Sequence, residues 1–417
     1  MNIFRKVYSR IYQNLFELAI PLMPYRQPEI KKSVKAIPQI LKDHNLSRPL
    51  LVTDKSIHGL GLTKELENAL TENLISYTLF NETVPNPTIT NIESAVQMYK
   101  DNSCDSIIAF GGGSVMDCAK IVGARIVKPN KQISKMKGLL KICKKIPLLI
   151  AIPTTAGTGS ETTLAAVITD DATHHKYPIN DFCLIPSYAV LDYKNTLGLP
   201  KHITSTTGMD ALTHAVEAYI GGSTTKKTRD CAEKAVQLIV KNLPLAYENG
   251  SNATARENML IASYYAGVAF TISYVGYVHA VAHSLGGKYG VPHGLANAII
   301  LPHFLEAYGK NCYKKLGKLS RIAGLATDTD NDQIASEKMI SWIKEMNNKM
   351  NIPSFIEELK EDDIPELAHL ADKEANPLYP VPKLMNRKEL EKMYKKLMKE
   401  QKSTSTNDVL FNLVFTT

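Results

Sequence analysis

An α/β half followed by an all-helical half is the fold class this sequence predicts, and three observations predict it. Short apolar runs ending in glycine or polar residues recur up to about residue 192. Segments of helical periodicity lie between the early runs. From about residue 202 the strand-like runs stop and helical periodicity takes over.

The apolar runs are "PLLVTD" (49–54), "SYTLF" (76–80), "SIIAFGGG" (106–113), "PLLIAIPTT" (147–155) and "YAVLD" (188–192). Between them, "TITNIESAVQMYKD" (88–101) and "SVMDCAKIVGARI" (114–126) read as helices. Alternating strands and helices imply a parallel sheet covered on both faces, with ligands at the carboxyl ends of the strands. Later, "ITSTTGMDALTHAVEAYI" (203–220), "RDCAEKAVQLIVKNL" (229–243) and "RENMLIASYYAGVAFTI" (256–272) read as helices. A chain of 417 residues suits about two domains. The expected division is an amphipathic extension over 1–28, an α/β domain over 29–200 and a helical domain over 201–417.

The extension, "MNIFRKVYSRIYQNLFELAIPLMPYR", places Phe4, Val7, Ile11 and Leu15 at helical spacing beside Arg5, Lys6 and Arg10. Glu17 and Pro21 interrupt an apolar run already too short to span a bilayer. A helix packed on the domain or on a partner subunit is the expectation, with peripheral membrane contact as the alternative.

The formal charge is +8, from 49 cationic and 41 anionic residues. Much of it sits in "KQISKMKGLLKICKK" (131–145) and "RKELEKMYKKLMKEQK" (387–402). Neither stretch interleaves aromatics as stacking platforms, so solvated faces are expected, and no nucleic-acid partner. None of the six cysteines forms a CxxC pair and no signal peptide is evident, which points to reduced thiols in the cytoplasm.

Three strand ends look chemical. Gly111-Gly112-Gly113-Ser114 joins a strand to a helix. There the backbone can approach a phosphate, and the helix N-terminus offers free N–H groups. Asp54 ends the first run. A carboxylate there can bind both hydroxyls of an adenosine ribose and would repel a 2′-phosphate, which predicts NAD over NADP. "PTTAGTGSE" (153–161) offers Thr154, Thr155, Thr158 and Ser160 to ribose and phosphate oxygens. The usual GxGxxG fingerprint followed by an acid is absent: here the acid precedes the glycines.

The helical half carries a second constellation. Asp210 and His214 stand four apart, one turn apart on one helix face. His279 and His283 repeat the spacing. "SLGGKYG" is expected to break that helix, letting Pro292-His293-Gly294 fold back. One carboxylate and three imidazoles suit a divalent transition metal, while a structural zinc site would more commonly use cysteine. Spacing alone does not choose between His279 and His283.

"GGGSVMDCAK", "IPTTAGTGSE", "GMDALTHAVEAY" and "HAVAHSLGGKYGVPHGLANAIILP" resemble the iron-containing alcohol dehydrogenase family, in order over roughly residues 30–395. The resemblance implies a dehydroquinate synthase-like architecture, a Rossmann-like sheet followed by a helical metal-binding domain. It implies reversible hydride transfer between a small alcohol and NAD, with Fe²⁺ as Lewis acid and Zn²⁺ as substitute. It further implies metal ligation by Asp210, His214, His279 and His293, and a proton relay at His283. A pyrophosphate grip at Gly112, Gly113 and Ser114 follows, with contacts from Asn86, Thr154, Thr155 and Lys176, and so does a homodimer. The chain departs from the pattern at Ala165, where some members carry asparagine, and in residues 1–28, which most members lack. Phe270, Tyr274 and Val278 are the expected pocket walls. The rivals are an NAD-using lyase of related architecture, a sugar-phosphate or glycerol-phosphate dehydrogenase, and a non-enzymatic scaffold.

Overall fold

The computed structural model describes residues 3–172 and 175–399. Nine strands occur among them: β1 (Glu29–Lys31), β2 (Pro49–Val52), β3 (Thr78–Phe80), β4 (Ser106–Gly111), β5 (Gly138–Leu139), β6 (Leu148–Pro153), β7 (Ala165–Thr169), β8 (Lys176–Asn180) and β9 (Tyr188–Val190). Six form one sheet in the order β1-β9-β6-β4-β2-β3, with every pair parallel. All five apolar runs become strands of this sheet. β5, β8 and β7 make a small second sheet in which β7 and β8 run antiparallel. The sequence reading did not find it: β5 has only two residues, and β8, Lys-Tyr-Pro-Ile-Asn, alternates exposed and buried positions and contains a proline, so neither reads as an apolar run.

Side chains of the large sheet alternate between two cores. Leu50, Val52, Ile107, Ala109 and Leu149 pack against the helices Ile89–Asp101 and Gly113–Val127. Leu51, Ile108, Phe110, Ile150 and Ile152 face the helices Ile37–Asp43 and Lys64–Glu72. Burial on both faces explains why the runs are continuously apolar. The chain goes from β2 outward to β3, then returns to place β4 on the other side of β2. The carboxyl ends of β2 and β4 therefore flank a switch point, where open parallel sheets take their ligands. Asp54 follows one and Gly112 the other.

In the second half the helix Lys201–Ile220 is buried without interruption from Gly208 to Ile220. A helix enclosed all round has no reason to be amphipathic. Around it lie Lys226–Glu248, Ala253–Ser273, Tyr277–Tyr289 and His293–Tyr308. One expectation is corrected here. The helix carrying His279 is not broken at Ser284 but continues to Tyr289. Leu285 is fully buried and anchors the last turns. The stop is Gly290, at φ +73°, whose N–H caps Gly286 O at 3.1 Å.

The N-terminal helix Ile3–Ala19 does pack on the helical half, but through its polar face. Ser9 and Gln13 are buried, while Val7, Ile11 and Leu15 are exposed. No single helix among the described residues is long and apolar enough to cross a membrane.

The loop after β6 seats the two halves on each other. A Cβ on Gly157 would lie 2.8 Å from Thr207 O, and one on Gly159 would lie 2.8 Å from Gly267 Cα. Gly159 also sits at φ +59°. Gly159→Ala therefore forces backbones apart and strains its own. We expect it to destabilise the protein by about 1–3 kcal/mol. A urea midpoint equal to that of the unaltered chain would show that the contact can retreat.

Candidate metal centre and nucleotide cleft

Three helices bring four donor groups together. Lys201–Ile220 supplies Asp210 and His214, Tyr277–Tyr289 supplies His279, and His293–Tyr308 supplies His293 at its first residue. One donor atom from each lies within 4.8 Å of the others. Asp210, His214 and His279 are buried, whereas the His293 side chain keeps 34% exposure. The cluster is thus open on one side.

Asn297 shows where the lone pairs point. Its Nδ2 lies 2.7 Å from Asp210 Oδ1, 3.1 Å from His293 Nε2 and 3.2 Å from His279 Nε2. Three acceptors thus converge on one electropositive group. His279 is oriented from behind: its Nδ1 donates to Glu217 Oε2 at 2.6 Å, leaving Nε2 as the acceptor toward the cluster. Glu217 is held in turn by the N–H groups of Gly276 and Val278, both at 2.9 Å. Burial raises its pKa to about 7 against those hydrogen bonds.

Burial, with help from the neighbouring rings, holds His279 well below its ordinary pKa. Burial is also the main reason that His293 falls to about 3 and that His214 is lowered. Neutral imidazole is the form that ligates metal. The His214 ring is stacked on Phe270, centroids 4.1 Å apart. A carboxylate and three neutral imidazoles with convergent lone pairs fit a divalent transition metal.

His283 is set apart. Its Nδ1 lies 2.7 Å from Glu374 Oε1, which also accepts from Tyr379 Oη at 2.8 Å. Its side chain is 41% exposed, and its ring stacks on His293 at 5.2 Å. Burial opposes a proton on this ring, but the Glu374 charge and hydrogen bond outweigh it, and the pKa is raised.

The strand ends face this cluster. Gly112 precedes the helix Gly113–Val127 as its N-cap. A Cβ on Gly113 would lie 3.1 Å from Thr158 Cγ2, and one on Gly112 3.8 Å from Thr155 Oγ1. The two loops thus oppose one another, and Thr154 N–H ties them by donating to Gly111 O at 3.2 Å. Ser114 Oγ accepts from Asn86 N–H at 3.2 Å, and Asn86 Oδ1 accepts from Lys176 Nζ at 2.7 Å. Lys176 is close enough to the histidines to disfavour protons on His283 and His293.

Two expected contacts have additional structural ties. Asp54 Oδ1 accepts from Ile57 N–H at 2.9 Å, capping the short helix Lys55–Gly59. Ser160 points inward: its hydroxyl donates to Asp117 at 2.8 Å and accepts from Lys120 Nζ at 2.9 Å. Lys120 is fully buried, also reaches Thr163 Oγ1 and Ala165 O, and has its pKa lowered by burial to about 8. Val278, expected as a pocket wall, is sealed in the helical core.

The sequence reading missed Glu217, Asn297, Glu374, Asp117 and Lys120. Two of these carried a signal. Glu217 extends the Asp210/His214 face by one turn, and Asn297 stands four after His293.

Comparison with known proteins gives the same picture over nearly the whole chain. Residues 30–193 match the model described as iron-containing alcohol dehydrogenase. Residues 204–398 match the C-terminal model of the same family. The 1,3-propanediol dehydrogenase of Citrobacter freundii is 35% identical over 385 residues, 91% of this chain and 98% of that one. The NAD-dependent methanol dehydrogenase of Bacillus methanolicus is 36% identical, over 81% of this chain and 88% of that one. A crystal structure of 1,3-propanediol oxidoreductase superposes with TM-score 0.86 at 33% identity, covering 90% and 99% of the two chains.

Glu217→Gln keeps the shape but removes the carboxylate behind His279. We expect divalent-metal affinity to fall by about 10- to 100-fold. Calorimetric titration with Zn²⁺ measures this, and an unchanged affinity would separate Glu217 from the cluster.

Proposed function

The chain belongs to the iron-containing alcohol dehydrogenase family, and from that premise we propose what its residues do. The reaction is that of a metal-dependent, NAD-linked alcohol dehydrogenase, run reversibly as an aldehyde reductase. The bound cofactors supply Lewis acidity toward the alcohol oxygen and a hydride acceptor.

Asp210, His214, His279 and His293 hold the metal, Fe²⁺ with Zn²⁺ as substitute. The observation that carries this assignment is the convergence of their donor atoms within 4.8 Å, with only His293 among them partly exposed. Gly112, Gly113 and Ser114 receive the pyrophosphate at the helix N-terminus. Asn86, Thr154, Thr155, Thr158 and Lys176 surround it, and Ser160 braces the same loop from behind. Asp54 reads the adenosine ribose with the oxygen that does not cap its helix. Partly exposed and backed by Glu374, His283 passes the alcohol proton toward solvent.

Phe270 and Tyr274 wall the substrate side, and the Tyr274 ring is tilted against that of Tyr379 with centroids 6.2 Å apart. This favours a primary or small secondary alcohol with an apolar body. Residues 29–200 form the nucleotide domain and residues 201–417 the catalytic one. The enzyme works in the cytoplasm, where its six free thiols stay reduced, and forms the homodimer expected of its family.

NADH oxidation by anaerobically prepared, Fe²⁺-loaded protein across a panel of aldehydes and ketones tests the reaction. Turnover that vanishes on chelation is the expected outcome. Tight NADH binding with no net oxidation of any carbonyl would favour the lyase chemistry instead. For the cofactor, Asp54→Gly should narrow the preference for NADH over NADPH by about tenfold or more, the worth of one charge contact of 1.4 kcal/mol. Unchanged discrimination would leave Asp54 as a helix cap alone. His283→Ala should lower kcat by about 10²-fold or more while metal content stays that of the unaltered enzyme. A kcat that does not fall would remove His283 from the proton path.

A further inference from the structure

The N-terminal helix Ile3–Ala19 is mounted with the wrong face outward for an ordinary surface helix. Its inward face is polar and tied to the helical half by Gln13, Arg10 and Arg5, while the buried Ser9 hydroxyl has no partner among the described residues. Gln13 Nε2 donates to Tyr379 O at 2.7 Å and to Pro377 O at 3.1 Å. Arg10 donates to Val381 O at 2.8 Å and Pro382 O at 3.0 Å, and Arg5 pairs with Asp372 at 2.8 Å. Phe16 packs edge-on against Tyr274 at 4.8 Å. These bonds fix the rotation of the helix, so it cannot roll to bury its other side.

The outward side is apolar. Ile3, Val7, Ile11, Leu15, Leu18 and Leu22 are between 51% and 86% exposed, with Tyr8 and Tyr12 beside them. Of the 18 large apolar side chains exposed among the described residues, nine fall between Ile3 and Leu22. This is one contiguous face rather than scatter, and such faces mark an interaction site. None of these residues belongs to the metal centre or the nucleotide cleft, and the family match begins only at residue 30.

We propose that this face docks the enzyme on an anionic lipid surface. The occupant follows from charge. Residues 1–26 carry four cations against the single acid Glu17, on a chain of net charge +8. Arg5 is neutralised by Asp372, and Lys6 is exposed. Among the described residues, Arg10 and Arg26 are bonded only to carbonyl oxygens and so keep an uncompensated charge. A second copy would supply no counter-charge, since it carries the same excess of cations. An anionic bilayer supplies the counter-charge at headgroup level and hydrocarbon beneath it. Tyr8 and Tyr12, apolar rings with polar tips, suit the boundary between the two. A helix of 17 residues, about 25 Å long, lies in that plane and does not cross it.

The test is flotation of the full-length protein with two kinds of vesicle, phosphatidylcholine alone and phosphatidylcholine with about one-third phosphatidylglycerol. The double variant Ile11→Asp/Leu15→Asp is the probe, and Ile11→Val/Leu15→Met the conservative control. We expect the unaltered protein and the control to float with the anionic vesicles and far less with the neutral ones. The Asp variant should bind at least about tenfold more weakly while its melting temperature and aldehyde turnover stay unchanged. Absence of flotation, or flotation indifferent to the Asp substitutions, overturns the proposal. So does a solution assembly that needs the face, seen as a mass by light scattering that drops in the Asp variant without any vesicle binding.

Discussion

A buried carboxylate facing imidazoles that the same burial keeps neutral is the constraint on which the rest of this structure turns. Asp210 is 2% exposed, and among the described contacts its Oδ1 meets the Asn297 amide and the His293 ring. Neither brings a full positive charge while His293 is neutral. A carboxylate so placed is costly unless a cation balances it. A divalent metal would balance it and use the three imidazole lone pairs as well. The surroundings serve that arrangement. Glu217 fixes the tautomer of His279, and Phe270 fixes the plane of His214. Pro292 and the left-handed Gly290 set where the helix His293–Tyr308 begins and so where His293 stands.

The second requirement is that a nucleotide reach this point. The switch between β2 and β4 opens the sheet at Asp54 and Gly112, and the loop after β6 carries the cleft across to the helices. That loop is pressed on the helical half through Gly157 and Gly159. The position of the strand ends relative to the histidines therefore depends on glycine contacts that admit no Cβ. Lys120 makes the other brace, gripping Ser160, Thr163 and Ala165 from inside the sheet domain.

Much of this was legible in the sequence because the signals were local. The strands of the large sheet other than β1 are apolar runs ended by glycine or polar residues. Asp210 and His214 declare a shared helix face by their spacing. What was not legible depends on contacts between distant residues. His279 and His283 look alike in the local sequence, and it is their burial and the distant carboxylates behind them, Glu217 and Glu374, that separate them. Glu374 is 91 residues from its partner. Local reading ended the His279 helix at its glycine pair, whereas the buried Leu285 carries it on to Gly290. The amphipathic N-terminal helix was legible as a helix, but its orientation was not. That depends on carbonyls at Pro377–Pro382, more than 360 residues away.

The central claim is that three imidazoles and one carboxylate of this chain bind a single divalent metal. Iron K-edge X-ray absorption on the anaerobically Fe²⁺-loaded protein tests it most directly. One iron per chain, with imidazole nitrogen scattering that drops by one ligand in His279→Ala, is the predicted result. An all-oxygen shell, or a spectrum unaltered by that substitution, would contradict it.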